Sequence, residues 1–264
     1  MGVLNVTPDS FSDGGRFHGR DAALAQARRM AEEGADIIDV GGESTRPRSQ
    51  GVSVEEELDR VIPIVEAIHA ELSVTISIDT SKPSVMRDAV AAGARLINDV
   101  RALRAQGALE TVRTLGVPVC LMHMQGEPRN MQTAPEYTDV VAEVRDFLVE
   151  RVQACEAHGI DRSGLLIDPG FGFGKTAGHN LRLLSCLQTF VDTGLPVVVG
   201  ISRKSTLGKL LDRTLDERVS GSVAAVVIAA LKGVAVVRVH DVGPTRDALE
   251  VAAAVQAAGH ASKG

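Results

Sequence analysis

The chain has 264 residues, 44% of them hydrophobic, and a formal net charge of −6. A chain of this length fits one large domain over residues 1–264, and an acidic balance excludes a general role on nucleic acid or anionic membrane, both of which call for clustered positive charge. No apolar run reaches the roughly 20 residues of a membrane-spanning helix, and Cys120, Cys155 and Cys186 are too far apart for a disulfide framework or a zinc site, so a soluble cytoplasmic protein is expected.

Eight short apolar runs are predicted as strands: 2–5, 37–39, 76–79, 96–98, 119–123, 165–168, 197–202 and 236–240. Their continuous rather than alternating apolar character is that of parallel strands covered on both faces. Between them, helical periodicity predicts helices over 20–33, 54–72, 83–92, 106–115, 136–158, 179–190, 216–232 and 244–258. Eight alternating units with right-handed crossovers predict an α/β fold, a (β/α)8 TIM barrel with two long mobile loops at the C-terminal face. Those loops are residues 7–19 and 41–53, rich in Gly, Pro, Ser and Asp. The stretch 220–231 is apolar almost all round, which predicts that a second subunit covers it in a homodimer.

Each strand run ends in a residue that a core would reject, and in a barrel these ends share one mouth. Asp39, Asp79, Asn98, Asp168 and Lys204 thereby gather acceptors and donors suited to a flat heterocycle with ring N–H and amino groups. An unpaired carboxylate is costly in a pocket unless a ligand meets it, whereas the bland reading makes each Asp a helix cap or an Arg partner. The segment 200–208 opens a helix with Arg203, Lys204 and Ser205, and converges with Arg238 and His240 on the usual anion site of such barrels. The run Gly170, Gly172, Gly174, Lys175, Thr176 resembles a P-loop, but Pro169 stands where its first glycine belongs. A tight turn carrying Phe171 or Phe173 over the mouth is the better expectation. No protein metal cage is visible in the seven His positions, but a magnesium ion held by one or two oxygens, such as that of Asn5, would leave almost no trace.

The ordered motifs Asn5-Val-Thr-Pro-Asp-Ser-Phe-Ser-Asp-Gly14, Asp39-Val-Gly-Gly-Glu-Ser-Thr-Arg-Pro47, Ser77-Ile-Asp-Thr80, Ile97-Asn-Asp-Val100, Asp168-Pro-Gly-Phe-Gly-Phe173 and Gly200-Ile-Ser-Arg-Lys-Ser205 resemble those of the dihydropteroate synthase family. The resemblance implies a transferase of folate biosynthesis. It would join 6-hydroxymethyl-7,8-dihydropterin diphosphate to p-aminobenzoate, release pyrophosphate, use Mg2+ and be open to sulfonamides. It implies pterin contacts from Asp79, Asn98, Asp168 and Lys204. Thr45, Arg46, Arg238 and His240 would hold the diphosphate, with Asn5 on the metal. Pro47, Phe173 and Ser205 would hold p-aminobenzoate, and Asp9, Asp13 and Asp39 would stabilise positive charge in the reaction. Two departures stand out: the chain starts almost at the first catalytic strand, where the family usually carries a further segment, and Arg48 replaces a common glycine. A methyltetrahydrofolate-dependent methyltransferase, a non-catalytic binding paralogue and a Schiff-base aldolase using Lys204 are the alternatives. The first would not need the Thr-Arg-Pro and Ser-Arg-Lys-Ser segments.

Overall fold

A computed structural model of the chain describes residues 1–7, 15–44 and 51–261. Parallel strands β1 (Gly2–Asn5), β2 (Ile37–Gly41), β3 (Thr75–Asp79), β4 (Leu96–Asp99), β5 (Val119–Met122) and β6 (Leu165–Asp168) pair in sequence order. Strands β7 (Val198–Val199) and β8 (Val236–Val237) pair separately. Two parallel bridges join these sheets, Ile167 with Val197 at one seam and Gly2 with Val239 at the other, so the strand order closes on itself. The Val3 N–H donates to the Val239 carbonyl at 2.9 Å across the second seam. This is the expected eight-unit barrel, and closure leaves no sheet edge unpaired.

Helices α1 (Gly15–Glu32), α2 (Val54–Glu71), α3 (Pro83–Ala92), α4 (Ala108–Leu115), α5 (Val140–Ala157), α6 (Ala177–Ser185), α7 (Gln188–Val191), α8 (Ser205–Leu211), α9 (Val219–Leu231) and α10 (Val242–Ala261) cover the strands. Their starts follow local chemistry. Ser53 accepts from the Glu56 N–H to begin α2, Asp139 accepts from Val141 and Ala142 to begin α5, and Pro83 opens α3. The Asp139 cap explains why α5 starts four residues later than the apolar pattern predicts. The expected helix over 179–190 is two helices, because the chain turns at Cys186 after α6. Similarly, 216–218 is a 3-10 turn preceding α9 rather than its first turn.

The core is aliphatic: Ile38, Ile76, Ile78, Ile97 and Leu121 are essentially fully buried on the barrel strands, as are Ile68 and Met86 on the helices. Each such side chain contributes roughly 1.5–3 kcal/mol of hydrophobic stabilisation. Register then fixes the rim. Asn5 aligns with Gly41, Gly41 with Asp79, and Asp79 with Asn98, so three polar side chains from β1, β3 and β4 arrive at one level. On the far side, Met122 of β5 aligns with Asp168 of β6. No described helix is long and apolar enough to cross a membrane.

Candidate functional site

At the β2–β4 side of the rim the polar ends are bound to one another. Arg238, just beyond β8, reaches across the barrel: its Nε donates to Asp39 Oδ2 at 2.6 Å and its Nη2 to Asp79 Oδ2 at 2.9 Å. The Asn98 amide donates to the same Asp39 oxygen at 3.1 Å. The carboxylates of Asp39 and Asp79 are therefore paired, not open as their positions at strand ends suggested, and the Arg-partner reading holds for both. The reason is distance across the barrel: β2, β3 and β8 are remote in sequence, but one arginine spans them. Pairing is incomplete. Asp39 is fully buried, and its Oδ1 has no hydrogen-bond partner among the described residues.

Asp39 sits two residues below Gly41, so both face the barrel interior. A Cβ on Gly41 would lie 3.4 Å from the Asp79 Cβ and 3.7 Å from Asn5 Oδ1. The Asn5 amide oxygen and the Asp79 carboxylate thus both border Gly41. Burial pushes the Asp79 carboxyl up to about 7, opposed by Arg238 and helped by Asp39. The Arg238 guanidinium is itself raised, because attraction from Asp39 and Asp79 outweighs its burial.

Asp168, at the end of β6, is 5% exposed and accepts the Gly170 N–H at 2.7 Å. Burial raises its pKa, while that N–H and the charges of Lys204, Arg238 and Lys175 pull it down. Lys204 is pulled down to about 8 by burial and by Arg238, with Asp168 and Asp79 opposing. Its ammonium lies 4.2 Å from the centre of the Phe173 ring, within cation–π range. The two phenylalanines of the glycine-rich turn thus divide: Phe171 is in the main core at 1% exposure, and Phe173 faces the mouth, packed with Val100, Met122, Met124 and Met131.

Lys204 is held in place by its neighbour. Arg203 has φ of 56°, a left-handed conformation that costs a non-glycine residue of order 1 kcal/mol or more. Three contacts hold it there: Arg203 Nε donates to Asp241 Oδ2 at 2.9 Å, its N–H to Ser222 Oγ at 2.9 Å, and its carbonyl accepts from Arg218 at 3.0 Å. Ser222 lies on α9, so the stretch expected to be covered by a second subunit also braces the site from its inner face. Next to it, His240 meets Ser202: the backbone N–H donates to Ser202 Oγ at 3.2 Å and ring Nδ1 lies 3.1 Å from the same oxygen. With Ser202 accepting the N–H, its own proton suits Nδ1, which leaves the ring hydrogen on Nε2. Burial and the nearby Arg238 lower the His240 pKa to about 4, so the ring is neutral near pH 7.

Ser205, the first residue of α8, lines a cavity of about 150 Å³ with Thr206, Lys209, Gln132, Lys175 and Thr176. Lys175 and Thr176 have structural duties that the P-loop likeness does not suggest. Lys175 is buried within the turn, and Thr176 caps α6 by accepting the His179 N–H at 3.1 Å. The turn itself depends on glycine. Gly170 has φ of 71°, and a Cβ there would come within 1.9 Å of the His123 carbonyl oxygen.

Asp9, Asp13, Thr45, Arg46, Pro47 and Arg48 lie outside the described residues. The stem before residue 45 is described: Lys82, after β3, donates to both Glu43 and the buried Glu57 of α2, and Arg60 donates to the Gly42 carbonyl at 2.7 Å. Sequence reading missed this brace and Asn180, and it placed His123 and Ser202 only as strand ends and Lys175 only in the P-loop likeness. Asn180 accepts the Gly172 N–H at 2.9 Å and donates to Thr206 at 2.9 Å, joining the glycine turn to α8. The signal for it was a polar residue on the inner face of a helix.

The family model described as pterin binding enzyme matches residues 1–240. The dihydropteroate synthase of Escherichia coli (strain K12) is 54% identical over 258 residues, which cover 98% of this chain and 92% of that protein. Among solved structures, dihydropteroate synthase of Xanthomonas albilineans with 4-aminobenzoic acid superimposes with a TM-score of 0.93 at 56% identity, covering 97% of this chain and 92% of that one. The same enzyme with 7,8-dihydropteroate gives 0.90 at 54% identity, covering 97% and 93%. Yersinia pestis dihydropteroate synthase with a sulfonamide drug complex gives 0.93 at 50% identity, covering 97% and 94%. Similarity of this depth over the whole barrel, with its strand ends converging on one rim, makes the chain a member of the pterin-binding enzymes, within the dihydropteroate synthase family.

Proposed function

We infer that the chain catalyses the dihydropteroate synthase reaction, joining 6-hydroxymethyl-7,8-dihydropterin diphosphate to p-aminobenzoate with release of pyrophosphate. The observation that carries this reading is the juxtaposition at one rim of a polar set (Asp79, Asn98, Asp168) with a cation–aromatic pair (Lys204, Phe173). The polar set offers the paired acceptors and the amide that a pterin edge needs. Asp168 and Asn98 take the aminopyrimidine side, Asp79 the ring N–H groups and Lys204 the ring oxygen. Phe173 walls the aryl ring, and Ser205 in its cavity takes the carboxylate. Pro47 completes that wall in this reading.

The diphosphate lies toward β8, held by Arg238, by the neutral His240 through its Nε2–H, and by Thr45 and Arg46 of the second loop. Asn5 supplies a hard amide oxygen beside Gly41, the donor chemistry that Mg2+ prefers when substrate phosphates complete its shell. When bound there, the ion would neutralise charge on the departing pyrophosphate.

In the reaction the methylene C–O bond to the diphosphate breaks, a C–N bond to the arylamine forms, and the resulting anilinium loses a proton to solvent. Positive charge builds on the methylene-pterin as the diphosphate leaves. The buried Asp39, whose Oδ1 has no hydrogen-bond partner among the described residues, would stabilise that charge, and Asp9 and Asp13 of the first loop would add to it. The aromatic amine is already nucleophilic, so no strong base is required.

Two further properties belong to this proposal. The chain acts in the cytoplasm, and it pairs with a second copy through α9 and its neighbours, where Leu210, Ile228, Leu231, Val251 and Val255 are 44–67% exposed. Light scattering at micromolar concentration checks the dimer, and a monomer would remove it. For the reaction, the protein is incubated with the dihydropterin diphosphate, p-aminobenzoate and magnesium, and both products are measured. Pyrophosphate and dihydropteroate should form together and only with all three. Equal pyrophosphate release without p-aminobenzoate would instead indicate a hydrolase.

A further inference from the structure

Lys175 is 2% exposed, yet it makes no ion pair within the turn that buries it. Its Nζ donates to the Gly170 carbonyl at 2.9 Å, the Phe173 carbonyl at 3.0 Å and His123 Nδ1 at 2.8 Å. These three short contacts, beside a longer one to the His123 carbonyl at 3.4 Å, match the three hydrogens of the charged amine, which burial pulls down to about 7 against the attraction of Asp168. The two carbonyls bracket the segment that presents Phe173, and His123 belongs to the loop after β5. One buried side chain therefore ties the ends of the aromatic turn to each other and to the neighbouring strand end.

The surroundings suit His123 to the acceptor role. Burial and the adjacent Lys175 hold the His123 ring down to about 2, so the ring is neutral, and with Lys175 donating, Nδ1 accepts and the ring hydrogen sits on Nε2. The ring is itself fixed, edge-on to Phe147 at 4.9 Å between centres. On the outer side, Tyr137 donates to the Gly174 carbonyl at 2.9 Å and Gln132 reaches the Gly172 carbonyl, so the same loop also straps the turn from above. Main-chain contacts alone give this turn little support: Phe173 N–H to Gly170 carbonyl at 3.2 Å is its internal backbone bond.

We propose that Lys175 is a positioning residue for the arylamine: by cross-linking Gly170, Phe173 and His123 it sets the place of the Phe173 ring against Lys204, and so the affinity for p-aminobenzoate. The inference rests on the reading of Phe173 as the aryl wall. Lys175 also borders the cavity that holds Ser205, but its donors are directed at the turn and at His123. Removing its donors leaves the Phe173 carbonyl and His123 Nδ1 without a partner and the Gly170 carbonyl with only the Phe173 N–H, which frees the turn to shift, and small displacements of a positioning group have large kinetic effects.

The test compares steady-state constants for Lys175→Met, which keeps the stem and removes the donors, and for Phe173→Ala. Lys175→Met should raise KM for p-aminobenzoate by about tenfold or more while KM for the dihydropterin diphosphate changes less than about threefold. Phe173→Ala should raise the same KM. If Phe173→Ala has no effect on it, the aryl wall is misplaced and the function reading is at fault. If Phe173→Ala raises it and Lys175→Met does not, or if Lys175→Met alters both KM values equally, the positioning role is overturned. Should Lys175→Met fold poorly, His123→Leu removes one acceptor and must raise KM for p-aminobenzoate in the same selective way; an unchanged value overturns the proposal.

Discussion

On the β2–β4 side of the mouth, Asp39, Asp79 and Asn98 leave their strands directly and are bound together through Arg238, whereas on the β6–β7 side Phe173 and Lys204 sit on turns. The first half takes its geometry from sheet register, and its stability is tied to charge pairing. The second half takes its geometry from left-handed backbone at Gly170 and Arg203, from a buried lysine and from hydrogen bonds to α6 and α9. On the proposed reading the contrast suits the two substrates: a polar wall set by sheet register for a ring read by hydrogen bonds, and an aromatic wall set by side-chain bracing for a small aryl acid.

The contrast is broken most strongly at Arg238. Arg238→Leu leaves two buried carboxylates without their cation, and loss of one partner from a buried ion pair costs about 3–5 kcal/mol. Chemical denaturation should show that loss, and a stable variant would mean that Asp39 and Asp79 are protonated or solvated without it. Asp168→Asn keeps the volume but exchanges an acceptor for a donor, and pterin affinity measured by calorimetry should fall by roughly 2–5 kcal/mol. An unchanged affinity would remove Asp168 from the pterin site.

Two smaller effects sharpen the comparison on the turn side. Gly170→Ala meets both an unfavourable φ and the His123 carbonyl at 1.9 Å, while Gly116→Ala, at φ of 63°, meets no atom within 4 Å. The first should cost more than the second, whose strain is about 1–2 kcal/mol; equal losses in thermal melting would show that the turn gives way easily. The smallest effect is a pH dependence. An amine carries its charge below its pKa, and Lys204 is held down to about 8, so kcat/KM for p-aminobenzoate should decline as pH rises through that value. Lys204→Gln should be slower throughout and flat over the same range. A wild-type profile level from pH 7 to 10, an interval of about three units, would show that the ammonium charge is not used.

Much of the first half was legible in the chain. Continuous apolar runs ending at Asp79 and Asn98 marked strands and rim together, because a buried parallel strand tolerates polarity only where it leaves the core. The second half was legible in composition but not in arrangement. Gly170, Gly172 and Gly174 announced a tight turn, yet nothing local told Phe171 from Phe173, and Lys175 stood out only as part of a P-loop likeness that Pro169 breaks. Its partners are His123 and the turn's own carbonyls, and the histidine lies 52 residues away.

The amino-acid sequence by itself determined the eight-unit order, the face on which the polar residues gather, and the motifs that place the chain in its family. Periodicity and residue type act over a few positions, and both survive in the linear chain. Only the tertiary structure decided that Arg238 pairs with Asp39 and Asp79 across the barrel, that Lys175 is buried in its turn, and that α9 braces Arg203. Those outcomes depend on which side chains closure of the barrel brings within about 3 Å, the range in which a hydrogen bond forms.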